Sequence, residues 1–87
     1  MIDVKEAVGK AVDYLVSVYP KIEQSTIELE EVERSEDDQF WLITLSYGTS
    51  AFSPGAAFIG KRRYKLFKVN IGTGDVVSMK IREIHAS

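Results

Sequence analysis

Hydrophobic residues in the first twenty positions recur every three or four places. Val4, Ala7, Val8, Ala11, Val12, Leu15 and Tyr19 form one stripe, which predicts an amphipathic helix. Asp3 stands where it can cap that helix, with Glu6 three residues on as in a capping box. Glu6 and Lys10 are spaced as a favourable i, i+4 pair on the polar side. Pro20 stops the helix, since it has no amide hydrogen and restricts Tyr19 before it. Gly9 falls on the polar face, where it costs about 1 kcal/mol against Ala with no packing reason to offset it.

Beyond Pro20 the hydrophobic period changes to two. In STIELEEVER, Ile27 and Leu29 alternate with glutamates, and Val32 then falls out of phase. A strand that changes face in this way needs a bulge or bend, here near Glu30 and Glu31. SEDDQ is a polar turn. FWLITLSY follows, with Trp41, Ile43, Leu45 and Tyr47 on one side and Phe40, Leu42, Thr44 and Ser46 on the other. In RYKLFKVNI, Phe67, Val69 and Ile71 share a face opposite Tyr64 and Leu66. GTGD is a hairpin turn leading into VVSMKIREI, where Val77, Met79 and Ile81 are in phase. The pattern predicts an α+β fold: one N-terminal helix packed on a four-stranded antiparallel meander in the order 1-2-3-4, with one face buried and one turned to solvent.

Length fits that reading. A chain of 87 residues makes one domain, residues 1–87, with a thin core and no deep enclosed site. The apolar fraction of 45% and charged fraction of 28% are those of a globular protein. With no Cys, disulfides, thiolate metal sites and thiol catalysis are excluded together. No run approaches the ~20 apolar residues of a membrane-spanning helix. The opening MIDVKEAVGK lacks the charge pattern of a secretory signal, so the expected location is the cytoplasm, with no membrane partner.

Charge is small in sum and lopsided in distribution. The net charge is −2, yet residues 1–47 carry 4 basic and 11 acidic side chains while residues 48–87 carry 7 basic and 2 acidic. In a 1-2-3-4 meander the acidic first strand is not a neighbour of the basic third and fourth. Most of these charges are therefore expected to find no partner across neighbouring strands. Neutralisation between protomers, acidic edge against basic edge, is the corresponding expectation, and it makes a homodimer or structural homo-oligomer a candidate assembly.

Catalytic chemistry has little to work with. His85 is the sole histidine and lies two residues from the end. The SEDD carboxylates lack the alternating ligand spacing of a calcium loop and read as a solvated turn. Gly72-Thr73-Gly74 precedes a strand, whereas a phosphate-cradling loop precedes a helix. No acid, base and nucleophile can be named together, so the expectation is a non-enzyme with no cofactor and no metal.

The helix opening VKEAV, the strand IELEEVE and the ending FKVNIGTGDVVSMK together resemble a PepSY-type domain. In that ending Thr73, Gly74, Asp75 and Val76 fill the places of the family's strand–turn–strand pattern. The resemblance implies a small helix-plus-sheet module. Members of the family restrain peptidases or serve as sensory and binding modules outside the cell or at membranes. The shape and acidic surface are also similar to those of small bacterial immunity proteins that neutralise partner toxins.

GTSAFSPGAAFIGKRR, residues 48–63, is longer than the minimal module needs. Ser-Pro-Gly makes a turn, while Phe52, Phe58 and Ile59 favour burial against their own sheet or a partner. Lys61, Arg62, Arg63, Lys65 and Lys68 add a basic run interleaved with Tyr64 and Leu66, which Lys80 and Arg82 extend. Phe40, Leu42, Tyr64, Leu66 and Ile84 leave the outer sheet face less polar than a wet face should be. The expected function is an inhibitor-like or immunity-like module that binds a protein partner. Its candidate contact residues are Phe52, Phe58, Ile59, Lys61, Arg62, Arg63, Tyr64 and Leu66. Nucleic-acid binding by the Lys61–Lys68 cluster is the alternative, set against the overall acidity of the chain.

Overall fold

The computed structural model describes residues 1–49 and 61–82. The first element is α1, Val4–Val18, begun by Asp3, whose Oδ1 accepts the Glu6 amide at 2.8 Å. Ala7, Ala11 and Leu15 form its buried line, with Ile2, Val8 and Val12 packed at its flanks. Val4 and Tyr19, the ends of the expected stripe, are the least covered. Alanine at two of the three contact positions lets the helix approach the sheet closely, as small side chains permit.

Four strands follow: β1 (Glu28–Arg34), β2 (Phe40–Thr49), β3 (Lys61–Asn70) and β4 (Val76–Ile81). They form one antiparallel sheet in the order β1-β2-β3-β4, the expected meander under the expected helix. Ile43, Leu45 and Tyr47 of β2 meet Phe67 and Val69 of β3 beneath α1, and this is the core. The edge of the Tyr14 ring meets Phe67, with ring centres 6.4 Å apart.

β1 departs from the sequence reading at its start. Gln24–Thr26 close a single 3-10 turn, held by the Thr26 hydroxyl donating to the Glu23 carbonyl at 2.7 Å, so pairing begins only at Glu28. The bulge lies where the phase change requires it. Leu29 opposes Leu45, Glu31 opposes Thr44, and Glu30 is the extra residue. That insertion returns both Leu29 and Val32 to the helix side.

β4 carries a second bulge that periodicity alone does not reveal. Val76 opposes Val69 and Ser78 opposes Lys68, so Val77 is left over and is 54% exposed. The expected phase of Val77, Met79 and Ile81 thus breaks at its first member. The preceding turn sets this, because Asn70 donates its amide to Asp75 and its Oδ1 receives the Gly72 and Thr73 amides. Gly74 closes the turn at φ +80.

The β1–β2 turn is an Asx-type turn. Asp37 Oδ1 accepts the Ser35 hydroxyl at 2.6 Å and the Gln39 amide at 3.1 Å, and these bonds hold its carboxyl below the usual value. At the same end of the sheet, Ile71 donates to the Gln39 carbonyl and accepts from the Ile2 amide. No helix among the described residues is long and apolar enough to cross a membrane.

Two glycines are expected to respond oppositely to alanine. Gly9 is exposed with no atom near its absent side chain, so Gly9→Ala gains about 0.5–1 kcal/mol. Gly74→Ala meets only ordinary contacts but must hold a positive φ, which costs about 1–2 kcal/mol. Urea midpoints at unchanged slope measure both.

Candidate functional site

Alternation turns one set of side chains away from α1, and these build the outer face. Its rows can be read across the sheet from the register. Glu28, Ser46 and Tyr64 form one row, Glu31, Thr44, Leu66 and Lys80 the next, and Glu33, Leu42, Lys68 and Ser78 a third. Carboxylates therefore line the β1 side and cations the β4 side.

Two arginines span that gradient. Arg62, on β3, donates to the Ser46 hydroxyl from Nε at 3.1 Å and from Nη2 at 2.9 Å. Its Nη2 also donates to the Thr26 carbonyl and lies 3.6 Å from the Glu28 carboxylate. Ser46, fully buried, donates its own hydroxyl hydrogen bond to Glu30 Oε2 at 2.6 Å. Arg82 follows β4, with its amide bonded to the Tyr64 carbonyl. Its guanidinium donates to Thr44 Oγ1 at 2.7 Å and lies 3.3 Å from Glu31.

Most of these charges were expected to find no partner across neighbouring strands, and the two ion pairs indeed join strands that are not neighbours, so neutralisation does not have to wait for a second protomer. Strand separation is not the limit, because arginine and glutamate side chains are long enough to bridge β2 and β3 from both sides. The hydroxyls of Thr44 and Ser46 were not singled out from sequence. Their signal was the outward phase of β2, where two small polar residues stand between charged strands.

The apolar part of the face is real but shielded. Phe40, Leu42, Tyr64 and Leu66 are all half-buried, and the Lys68 ammonium sits 4.4 Å from the centre of the Phe40 ring. They make a diagonal strip between the carboxylate and cation sides. The basic run does not stay together. Arg62 and Lys68 belong to the outer face, whereas Arg63 and Lys65 point to the helix side. Lys65 is buried there, its ammonium 5.5 Å from the Tyr19 ring centre. Phe52, Phe58, Ile59 and Ile84, and the side chain of Lys61, lie outside the described residues.

A second concavity lies on the helix side, where α1 ends over β2. Val18, Tyr19, Pro20, Ile22, Tyr47 and Gly48 border about 400 Å³ of open space. Burial raises the Tyr47 hydroxyl pKa, Tyr19 adds to the shift, and Arg63 opposes it. Compared with protein-family models, curated proteins and solved structures, the chain has no match.

Ser46→Ala is expected to cost about 1–3 kcal/mol in a urea titration, because Arg62 and Glu30 lose the group that joins them. Tyr47 gives a pH dependence of known sign. Its hydroxyl binds its proton more tightly folded than unfolded, so the stability this contributes is whole below about pH 10. It is lost as the pH rises through the folded value, and Tyr47→Phe should flatten that decline in midpoints taken between about pH 8 and about pH 11.

Proposed function

We propose that the protein is a small non-enzymatic module of the inhibitor or immunity type, which binds a protein partner through the outer face of its sheet. One observation carries this reading: the strip of Phe40, Leu42, Leu66 and Tyr64 runs half-buried between the carboxylates of β1 and Lys80 of β4, with Lys68 over its Phe40 end and Arg82 reaching across to Glu31. Apolar and aromatic surface inside a charged rim is the anatomy of a protein interface. The complementary partner carries an apolar ridge with cations toward β1 and carboxylates toward β4. Arg62 and Arg82 tie the face down before binding, which lowers the ordering cost of association. The PepSY-like resemblance of helix, strands and final turn accords with a binding module.

The division of the basic run disfavours the nucleic-acid alternative. Phosphate binding needs cations gathered on one track, while here Arg63 and Lys65 face away from Arg62 and Lys68. Arg62 and Arg82 also already hold carboxylates.

A photo-crosslinking amino acid at Tyr64, introduced in cells of the native host, tests the proposal, with the same group at Tyr14 as the control. The expected result is a protein adduct from Tyr64 alone, reduced at least about tenfold by Leu42→Asp or Leu66→Asp in variants whose circular dichroism is unchanged. An adduct with nucleic acid, equal yields from the two positions, or no adduct would overturn it.

A further inference from the structure

The two outermost strands present complementary edges. β1 turns Glu28, Glu31 and Glu33 to the outer face and Leu29 and Val32 to the helix side. β4 turns Ser78 and Lys80 outward and Met79 and Ile81 to the helix side. Both edges are poorly covered, with Leu29 51%, Val77 54% and Ile81 73% exposed. Each also has a row of main-chain donors and acceptors with no further strand beside it among the described residues. The intramolecular contacts leave a remainder of each sign. Glu28 pairs with Arg62, Glu30 receives Ser46 and Glu31 pairs with Arg82. Among the described residues, Glu33 on β1 and Lys80 on β4 make no ion pair.

We infer that a second copy of this chain docks its β1 against β4 and continues the sheet. Four alternating strands mean that β1 and β4 run in opposite directions. A copy added in the same orientation therefore brings its β1 antiparallel to β4, with both helices on one side. The outward and inward rows then come into phase together. When Val32 of the second copy faces Ile81, Glu33 of that copy faces Lys80 and Glu31 faces Arg82. In this register a carboxylate meets Lys80 and an aliphatic side chain meets another, as stable cross-strand pairs require.

Both bulges, at Glu30 and Val77, lie outside the segments that pair. The two helices lie four strand spacings apart, about 19 Å, so neither obstructs the joint. Like edges do not match, since two β1 strands oppose their glutamates and two β4 strands their lysines. The contact is heterologous, so each added copy leaves an edge open and growth proceeds to a ring or a ladder. This surface is separate from the outer-face strip, so the two proposals stand or fall independently.

Sedimentation velocity over a wide concentration range, at roughly 20 mM and roughly 500 mM sodium chloride, tests the joint. The average mass should climb past two copies at low salt and fall back at high salt. Lys80→Glu and Glu33→Lys should each raise the concentration needed by about tenfold, the equivalent of about 1.4 kcal/mol. An equimolar mixture of the two variants should recover assembly, because each supplies the edge the other now opposes. A single chain at every concentration, a mass that stops at two copies, or a mixture no better than its components would overturn the inference.

Discussion

One helix has to cover a sheet wider than itself. Four strands at their usual spacing span about 14 Å between the outer strand axes, and more with their side chains, while a helix is about 10–12 Å across. α1 therefore seats on the central pair, where Ala7, Ala11 and Leu15 meet Ile43, Leu45, Phe67 and Val69 at full burial. Everything that distinguishes the surface follows from that shortfall. Leu29 and Ile81 share the helix-side phase but lie beyond its reach, and they stay open for that reason. The helix-end concavity has the same origin: α1 stops at Val18 while β2 runs on to Thr49.

Among the described residues the outer face has no helix, and long side chains lie across it instead. Exposed ion pairs contribute little, about 0–1 kcal/mol each, so the Arg62–Glu28 and Arg82–Glu31 contacts are not in themselves what fixes it. The fixed points are the hydroxyls of Ser46 and Thr44, which are buried and must keep their partners. Each arginine reaches one of these hydroxyls as well as a carboxylate, so its position is set by a buried group and its charge is then placed at the acidic strand. A face built in this way is ordered without being apolar, which suits contact with a partner better than it suits packing.

The helix, its cap, the four strands, their order and the Glu30 bulge were legible because each rests on local period or turn chemistry. Ile27, Leu29 and Val32 cannot share one face of a regular strand, so a bulge or bend was required, and the register shows it to be a bulge at Glu30. Val77 was misplaced because its bulge answers to the Asn70–Asp75 turn, whose hydrogen bonds lie in the backbone and not in the hydrophobic pattern. The 3-10 turn at Gln24–Thr26 was missed for a similar reason, being too short to have a period. The outer-face strip was visible from alternation. The reach of Arg62 and Arg82 was not, because pairwise thinking about neighbouring strands ignores side-chain length. The same alternation divides Arg62 and Lys68 from Arg63 and Lys65, so the splitting of the basic run is legible in the pattern as well.

The lopsided charge of the chain takes a different meaning once the contacts are known. An acidic first half and a basic second half look like a surplus to be neutralised between molecules. Most of the outer-face surplus is instead used within one molecule, as a brace across strands that have no helix above them. On the outer face of the two edge strands, the brace leaves without an ion pair or hydrogen bond among the described residues the carboxylate of Glu33 on the first and the ammonium of Lys80 on the last, while Lys68 on β3 lies over the Phe40 ring. Glu33 and Lys80 sit on edges that also leave aliphatic side chains uncovered. A charge that completes an internal contact cannot also select a partner without breaking that contact. Selection falls to the charges that remain, and these lie at opposite edges with opposite sign.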